Sequence, residues 1–360
     1  LNFTIAKPAL VAALTHAASV ADRRTTTIPI LSHVCLMAGS GLTVAATDLE
    51  LSFVAEIEAD VTDPGGITLP AKRLLDYVRL LPDAPITIKA SGKDWVSITC
   101  GRSRTRIAGI SVGSFPEIPT APASMWSVST QDIGRLIKLV VFAISREESR
   151  FTLNGALLTL TADTATLVAS DGHRLALATV PTKFAGKPVS FLVPQRVLSE
   201  IPSVLGGHIQ VAWDDTNLFF WTPGRALVMR GLSGKFPDYE RVLPKEHAHM
   251  ARINRKDLLT AIGRVAQFAN DRSRGIIVEA AAGEIRLRAE LADTGETSEA
   301  IGAECSATMT TSYNADYLRE FLSATEAETV EYRFSGPDKP GEFGLPDDAS
   351  CRYVVMPMRS

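Results

Sequence analysis

A short alternating strand running into an amphipathic helix opens this chain, and the same design returns twice. The first copy is Phe3-Thr4-Ile5-Ala6-Lys7-Pro8-Ala9-Leu10-Val11-Ala12-Ala13-Leu14. The second is Trp126-Ser127-Val128-Ser129-Thr130-Gln131-Asp132-Ile133-Gly134-Arg135-Leu136-Ile137, and the third runs from Ala251 to Ile262. Leu10, Ile133 and Leu258 correspond, at offsets of 123 and 125 residues. Such a period means one structural unit used repeatedly, so the problem reduces to a unit of about 120 residues and its copies.

A second recurrence runs beside the first. Pro70-Ala71-Lys72-Arg73-Leu74, Pro194-Gln195-Arg196-Val197-Leu198 and Asn314-Ala315-Asp316-Tyr317-Leu318 each open a helix after a strand, the prolines being read at an early helical position. Strands at 86–88, 209–211 and 330–332 follow these helices. Short alternating runs such as 42–46 and 166–169 lie between them, at the spacing of antiparallel sheets. The expected class is α+β, each unit carrying two helices and several antiparallel strands. Pro-bearing connectors near Pro116–Pro122 and Pro244–His247 divide the chain into 1–119, 120–246 and 247–360. Residues 7–21 imitate a secretory leader, but a leader would not recur twice further on, so this segment is read as a structural helix.

Apolar residues at 46% and charged residues at 21% exclude a disordered or low-complexity chain. Aromatics at only 7% predict aliphatic cores, and no apolar run approaches a membrane span. Cys35, Cys100, Cys305 and Cys351 show no CxxC spacing and read as reduced thiols of a cytoplasmic protein, with no metal and no cofactor. The net charge of −3 argues against coating nucleic acid by bulk charge. Its distribution is uneven, because the six helical segments together carry +7. Helices that gather positive charge in a repeated fold suggest a common surface facing a polyanion, gripping phosphates without reading bases.

Three motifs look catalytic and fail on context. Gly109-Ile110-Ser111-Val112-Gly113 matches a nucleophile elbow, but Ser114-Phe115-Pro116 after it excludes the helix such an elbow needs. Asp171-Gly172-His173-Arg174 could be an acid–base pair and is read as a turn between strands. His247-Ala248-His249 lacks a third metal ligand.

The chain resembles the bacterial DNA polymerase III beta subunit, the replicative sliding clamp, along essentially its whole length. The resemblance is carried by Ile28-Pro29-Ile30-Leu31, Ala46-Thr47-Asp48-Leu49-Glu50, Gly101-Arg102-Ser103-Arg104, Phe115-Pro116, Leu153-Asn154-Gly155, Ser170-Asp171-Gly172-His173-Arg174-Leu175, Phe236-Pro237-Asp238-Tyr239 and Tyr353-Val354-Val355-Met356-Pro357-Met358-Arg359, in that order. It implies three clamp-type domains per chain and a head-to-tail dimeric ring whose helices line the hole. Such a ring is a non-catalytic processivity factor that encircles double-stranded DNA. The implied partners are a second copy, the polymerase III catalytic subunit, the clamp loader, and other polymerases and repair proteins carrying a short Gln- and Leu/Phe-bearing motif; no membrane is implied.

By position, the resemblance places a peptide cleft at Leu153, Ser170, Gly172, His173, Arg174, Leu175, Pro237, Arg241, Val242, Val354, Val355, Met356, Pro357, Met358 and Arg359, with a further contact near Glu342. In it, His173 and the arginines would orient a polar partner. Ser170 stands where the family usually has Thr. DNA contacts fall on Arg23, Arg24, Lys72, Arg73, Arg146, Arg150, Phe151 and Arg196, with Phe151-Thr152 where the family often shows two Tyr residues. The dimer contact falls on Arg102, Arg104, Thr105 and Ile107 of one chain against Gln267 and Phe268 of the other, the arginines meeting Glu296, Glu299 or Glu304. Two other readings stand beside this one: a clamp-like paralogue serving a specialised polymerase or drug resistance, and, remotely, a hydrolase at Ser111 or Asp171/His173.

Overall fold

The computed structural model describes residues 1–21, 28–147, 149–232, 234–291, 295–346 and 348–358. Among these, helices form where the recurrences place them. They are α1 (Lys7–Val20), α2 (Ala71–Leu80), α3 (Thr130–Val140), α4 (Gln195–Val204), α5 (Arg255–Val265) and α6 (Ala315–Ala324). The buried stripe of each helix follows its periodicity, as with Leu10, Ala13, Leu14 and Ala17 on α1 or Leu258, Ala261, Ile262 and Val265 on α5.

The helix starts differ from expectation in one respect. Pro8 lies in the first turn of α1, but Pro70 is the residue before the first turn of α2. The last repeat uses side-chain caps instead. Asn254 Oδ1 accepts from the N–H groups of Lys256 and Asp257 at 3.0 and 3.2 Å, and Asn314 Oδ1 does the same for Asp316 and Tyr317. Each such cap is worth about 1 kcal/mol.

The chain forms two compact units. The first comprises Leu1–Thr130 and Ser199–Gly231, the second Gln131–Leu198 and Leu232–Ser360. In the first unit, a five-stranded antiparallel sheet runs in the order Asp60–Asp63, Asn2–Ile5, Ile86–Ala90, Trp95–Cys100, Ser103–Ala108. An eight-stranded sheet accompanies it, and there Arg225–Arg230 pairs with Leu51–Ile57, Met229 opposite Leu51. In the second unit a continuous run of twelve strands passes from Val189–Pro194 to Met309–Asn314. Its fourth and fifth strands are Arg174–Pro181 and Asp348–Val355, which pair antiparallel.

These units cut through the stretch 120–246. Its strands Trp126–Ser129, His208–Trp213, Asn217–Thr222 and Arg225–Arg230 belong to the first unit's sheet, while Gly155–Leu160, Thr164–Ser170, Arg174–Pro181 and Val189–Pro194 belong to the second's. Continuous ladders across the sequence repeats make contact density follow the sheets.

The expectation of aliphatic cores fails most clearly in one place. Tyr313, Phe321, Tyr332, Phe343 and Tyr353 form a buried stack, with ring centroids 4.9 Å apart for Phe321–Tyr353 and 4.7 Å for Tyr332–Phe343. The hydroxyls of Tyr313 and Tyr332 lie 3.0 Å apart, and Tyr353 donates to the Tyr317 carbonyl at 2.9 Å. Gly341 is required here, since a Cβ would come within 2.3 Å of the Tyr313 hydroxyl. Phe3, Phe53, Phe219 and Phe220 are buried in the first unit as well.

Candidate functional site

The motif Ser170-Asp171-Gly172-His173-Arg174 folds as a tight turn between the strands Thr164–Ser170 and Arg174–Pro181. Asp171 Oδ1 accepts the main-chain N–H groups of His173 and Arg174 at 2.9 and 3.0 Å. Ser170 Oγ donates to the Arg174 carbonyl at 2.7 Å and accepts from Gly172 N–H at 3.1 Å. Gly172 takes φ +90°, a left-handed conformation, and a Cβ there would lie 2.9 Å from Arg150 Nη1. Asp171 is thus committed to shaping the turn, and His173 is left exposed at its tip.

Beneath the turn lies an apolar cluster of Leu153, Val168, Leu175, Leu192, Phe236 and Val354. Leu157, Leu177, Leu232, Tyr239 and Leu243 pack on it while staying partly exposed. The last strand brings its end here: Met356 N–H donates to the His173 carbonyl at 2.9 Å, and Met358 N–H to the Ser312 carbonyl at 2.8 Å. Met356 and Val242 are about two-fifths exposed. Together with exposed His173 and Pro237 they offer an apolar surface beside a hydrogen-bonding imidazole. Pro357 and Met358 are half-buried, Val355 is buried, and Arg241 is exposed with its Nε 2.8 Å from Asp238. Arg359 lies outside the described residues. The sequence expectation omitted Phe236, Tyr239, Leu243, Val168 and Leu192 from this surface; for the first three, apolar residues in a Pro-bearing segment were a usable signal, while Val168 and Leu192 lie within strands.

Two expected cleft residues are buried at the site with their polar atoms engaged inside the chain. Arg174 is only 7% exposed. Its Nε lies 2.9 Å from Asp171, its Nη1 bonds Glu320, its Nη2 donates to the Phe142 carbonyl at 2.6 Å, and its guanidinium packs 4.2 Å from the Tyr317 ring centroid. Burial opposes its charge, yet Tyr353 and Glu320 hold it above its ordinary range. Its role is to lock the turn to α6, and its donors are committed within the chain. Glu342 is 1% exposed and bonded to Arg333, Arg352 and His247, so it offers nothing to a ligand.

The expected DNA contacts are spread over both units. Lys72 and Arg73 are exposed on α2, Lys72 pairing with Asp76 at 2.6 Å. Arg146 and Arg196 are exposed, with Arg146 4.0 Å from Glu320. Phe151 is 63% exposed in the short turn Phe151–Leu153, and Thr152 is half-buried. Arg150 is partly committed: Nη1 donates to the Asp171 carbonyl at 2.8 Å and Nε lies 2.9 Å from Glu147. Arg23 and Arg24 fall outside the described residues.

The expected dimer contacts also divide. Ser103–Ala108 is the edge strand of the five-stranded sheet, carrying exposed Arg104 and half-buried Thr105, with exposed Arg102 just before it. Ile107 is already buried within its own chain. In the second unit Gln267 is exposed and Phe268 half-buried. Gly295–Glu304 pairs along its length with Glu284–Leu291, but on its other side meets His249–Asn254 only through Ile253↔Ala303 and Arg252↔Glu304. Glu296 and Glu304 are exposed on that strand, while Glu299 is engaged by Arg264 at 2.5 Å.

Ser111 is followed by the single 3-10 turn Val112–Ser114 rather than a helix, so no elbow forms. Among the described residues no group of three or more His, Cys, Asp or Glu is arranged to hold a metal, and no helix is long and apolar enough to cross a membrane. His249 packs on Phe334 with ring centroids 5.6 Å apart.

Family models for the DNA polymerase III beta subunit match in three consecutive pieces: N-terminal domain over 1–119, central domain over 127–238 and C-terminal domain over 240–359. The chain belongs to that family. It is 33% identical to the beta sliding clamp of Caulobacter vibrioides over 372 aligned residues, covering all of both chains. Among solved structures it resembles the sliding clamp of Caulobacter crescentus at 32% identity and TM-score 0.92, covering all of both chains. It also resembles the Pseudomonas aeruginosa clamp bound to griselimycin at 30% identity and TM-score 0.95, covering 100% of this chain and 99% of the other. A sliding clamp is a processivity factor, and this is the fold and function class to which the chain is assigned.

Proposed function

We propose that two copies of this chain close head to tail into a ring around double-stranded DNA, which tethers partner proteins through the groove at Leu153, Leu175 and Val354 and itself makes or breaks no bond. The observation that carries the tethering is the groove itself: a buried apolar floor with exposed Met356, Val242 and His173 at its mouth. Adaptable Met and aliphatic walls suit an apolar peptide anchor, and an imidazole beside them suits its polar residue. The partners read by such a groove are the polymerase III catalytic subunit, the clamp loader and other replication and repair proteins, in the cytoplasm. The division 1–119, 120–246 and 247–360 describes the three domains of each half-ring.

Ring closure is supported by two strand sides of opposite character: the outer side of Ser103–Ala108, and the side of Gly295–Glu304 that among the described residues pairs with His249–Asn254 only at Ala303 and Glu304. The Ser103–Ala108 edge is flanked by Arg102 and carries Arg104, and the Gly295–Glu304 strand carries Glu296 and Glu304. Pairing such edges between copies would satisfy backbone groups that an isolated chain leaves to water. Lys72, Arg73, Arg146 and Arg196 would face the phosphates, with Phe151 adding a ring for stacking. The test is a fluorescence titration with a labelled Gln-Leu-Phe-type pentapeptide. The full chain should bind near micromolar, about −8 kcal/mol. Deleting 356–360 should abolish binding, because it removes Met356 from the groove; equal binding by both forms would overturn the assignment of the groove.

A further inference from the structure

Segment 237–247 forms one side of the groove and then leaves it. Tyr239 and Leu243 pack on the apolar cluster, and Val242 stands at its mouth. The segment holds no strand and only the single turn Tyr239–Arg241, so its position depends on what holds its ends. Phe236 anchors the beginning in the cluster. The other end is held by charge. Arg352 Nη2 donates to the Pro244 carbonyl at 2.8 Å, and His247 Nε2 lies 3.3 Å from Glu342.

Arg352 is itself held by Glu342, with Nε and Nη2 at 3.0 and 2.6 Å from the two carboxylate oxygens. Arg333 Nη1 reaches the same carboxylate at 3.3 Å and continues to Glu331, which Arg252 Nε meets at 3.0 Å. The strand register puts Glu342 opposite Val354, and Arg352 lies two residues before Val354 on the same strand. Charged row and apolar floor therefore share one face of the sheet.

We infer that the Glu342–Arg352 pair is a positioning device for the groove: it pins the Pro244 carbonyl, and through it the 237–243 wall, without touching the bound peptide. The inference rests on the groove reading above. A buried carboxylate facing arginines from two neighbouring strands is expensive unless every partner stays in place, so it fixes its surroundings tightly. Removing the second hydrogen bond of the Arg352 fork frees the wall while the sheet beneath it stays laddered.

Arg352→Lys keeps a cation beside Glu342 but loses the fork, and Glu342→Gln keeps the shape but loses the charge. Both should weaken the pentapeptide by about tenfold, the equivalent of one charge-assisted hydrogen bond, and speed amide exchange across 237–247. Arg252→Ala, at the far end of the same row, serves as the control: it should loosen the sheet locally and leave peptide affinity unchanged. Wild-type affinity and exchange in Arg352→Lys would overturn the positioning role and leave the groove intact. Equal losses in Arg252→Ala would reduce the row to general stability and equally overturn it. A full chain that binds no peptide would remove the groove reading, and the positioning role with it.

Discussion

The turns at 47–51 and 170–174 hold equivalent places in successive repeats, 123 residues apart, and are built almost identically. Asp48 Oδ1 accepts from Glu50 and Leu51 N–H at 3.0 and 2.7 Å, just as Asp171 Oδ1 accepts from His173 and Arg174. Arg230 N–H donates to the Glu50 carbonyl at 2.8 Å, as Met356 N–H does to the His173 carbonyl at 2.9 Å. Leu51 sits opposite Met229, and Arg174 opposite Val355. The side chains then diverge. Where the second unit has Gly172, His173 and Arg174, the first has Leu49, Glu50 and Leu51. The backbone scaffold comes from the repeat. The groove chemistry comes from a few residues changed on one copy of it.

Transplanting residues between the two turns tests this division. Arg174→Leu, which copies Leu51, should have the largest effect, because it removes the guanidinium shared by Asp171, Glu320 and the Phe142 carbonyl and leaves Asp171 only its main-chain bonds. A loss of about 3 kcal/mol in the second unit is expected, read as faster amide exchange in Arg174–Pro181. A neutral result would mean the guanidinium is dispensable and the two turns are interchangeable. Gly172→Leu should cost about 2 kcal/mol, from the left-handed φ and the contact with Arg150 Nη1. The reverse change, Leu49→Gly, should alter stability by less than about 1 kcal/mol: it relieves φ +77° but loosens the unfolded chain.

The smallest effect separates the two units by pH. Burial lowers His16 and His33 in the first unit below their ordinary 6.5, although Glu200 and Thr68 respectively act to raise them. They favour folding while neutral, so that contribution is full above about pH 6.5 and fades as pH falls below it. In the second unit burial acts to raise Glu342, but Arg352, His247 and Arg333 hold it below 4.5. Its contribution is full above about pH 4.5 and fades only as pH falls further. Protection against amide exchange, taken relative to the unstructured rate at each pH, should therefore fall in Leu51–Ile57 before Arg174–Pro181 between pH 7 and 5.5; the opposite order would contradict the assignment.

The helices and the threefold plan were legible because apolar spacing and recurrence are local properties of a sequence. The turn at Asp171 was legible for the same reason, from Gly172 supplying the bend between two alternating runs; that Asp171 accepts the N–H groups of His173 and Arg174 was not. What lies over the groove was harder to read. Tyr239 and Leu243 act through a segment whose place depends on Arg352, more than a hundred residues away. Arg174 shows the limit most clearly: a positive residue beside a binding motif reads as a ligand contact, and its contacts with Glu320 and Tyr317 of α6 are not visible in the sequence. The aromatic stack around Tyr332 escaped a compositional average because five rings converge from separate elements.

The central claim, that this chain works by encirclement, is tested most directly on DNA topology. The protein is loaded by a clamp loader onto a nicked circular duplex, separated from free protein, and followed before and after one cut linearises the circle. Encirclement predicts retention on the circle and loss from the cut DNA on the timescale of sliding off an end. Equal retention on both would show that the chain holds DNA by surface contact, and would contradict the account.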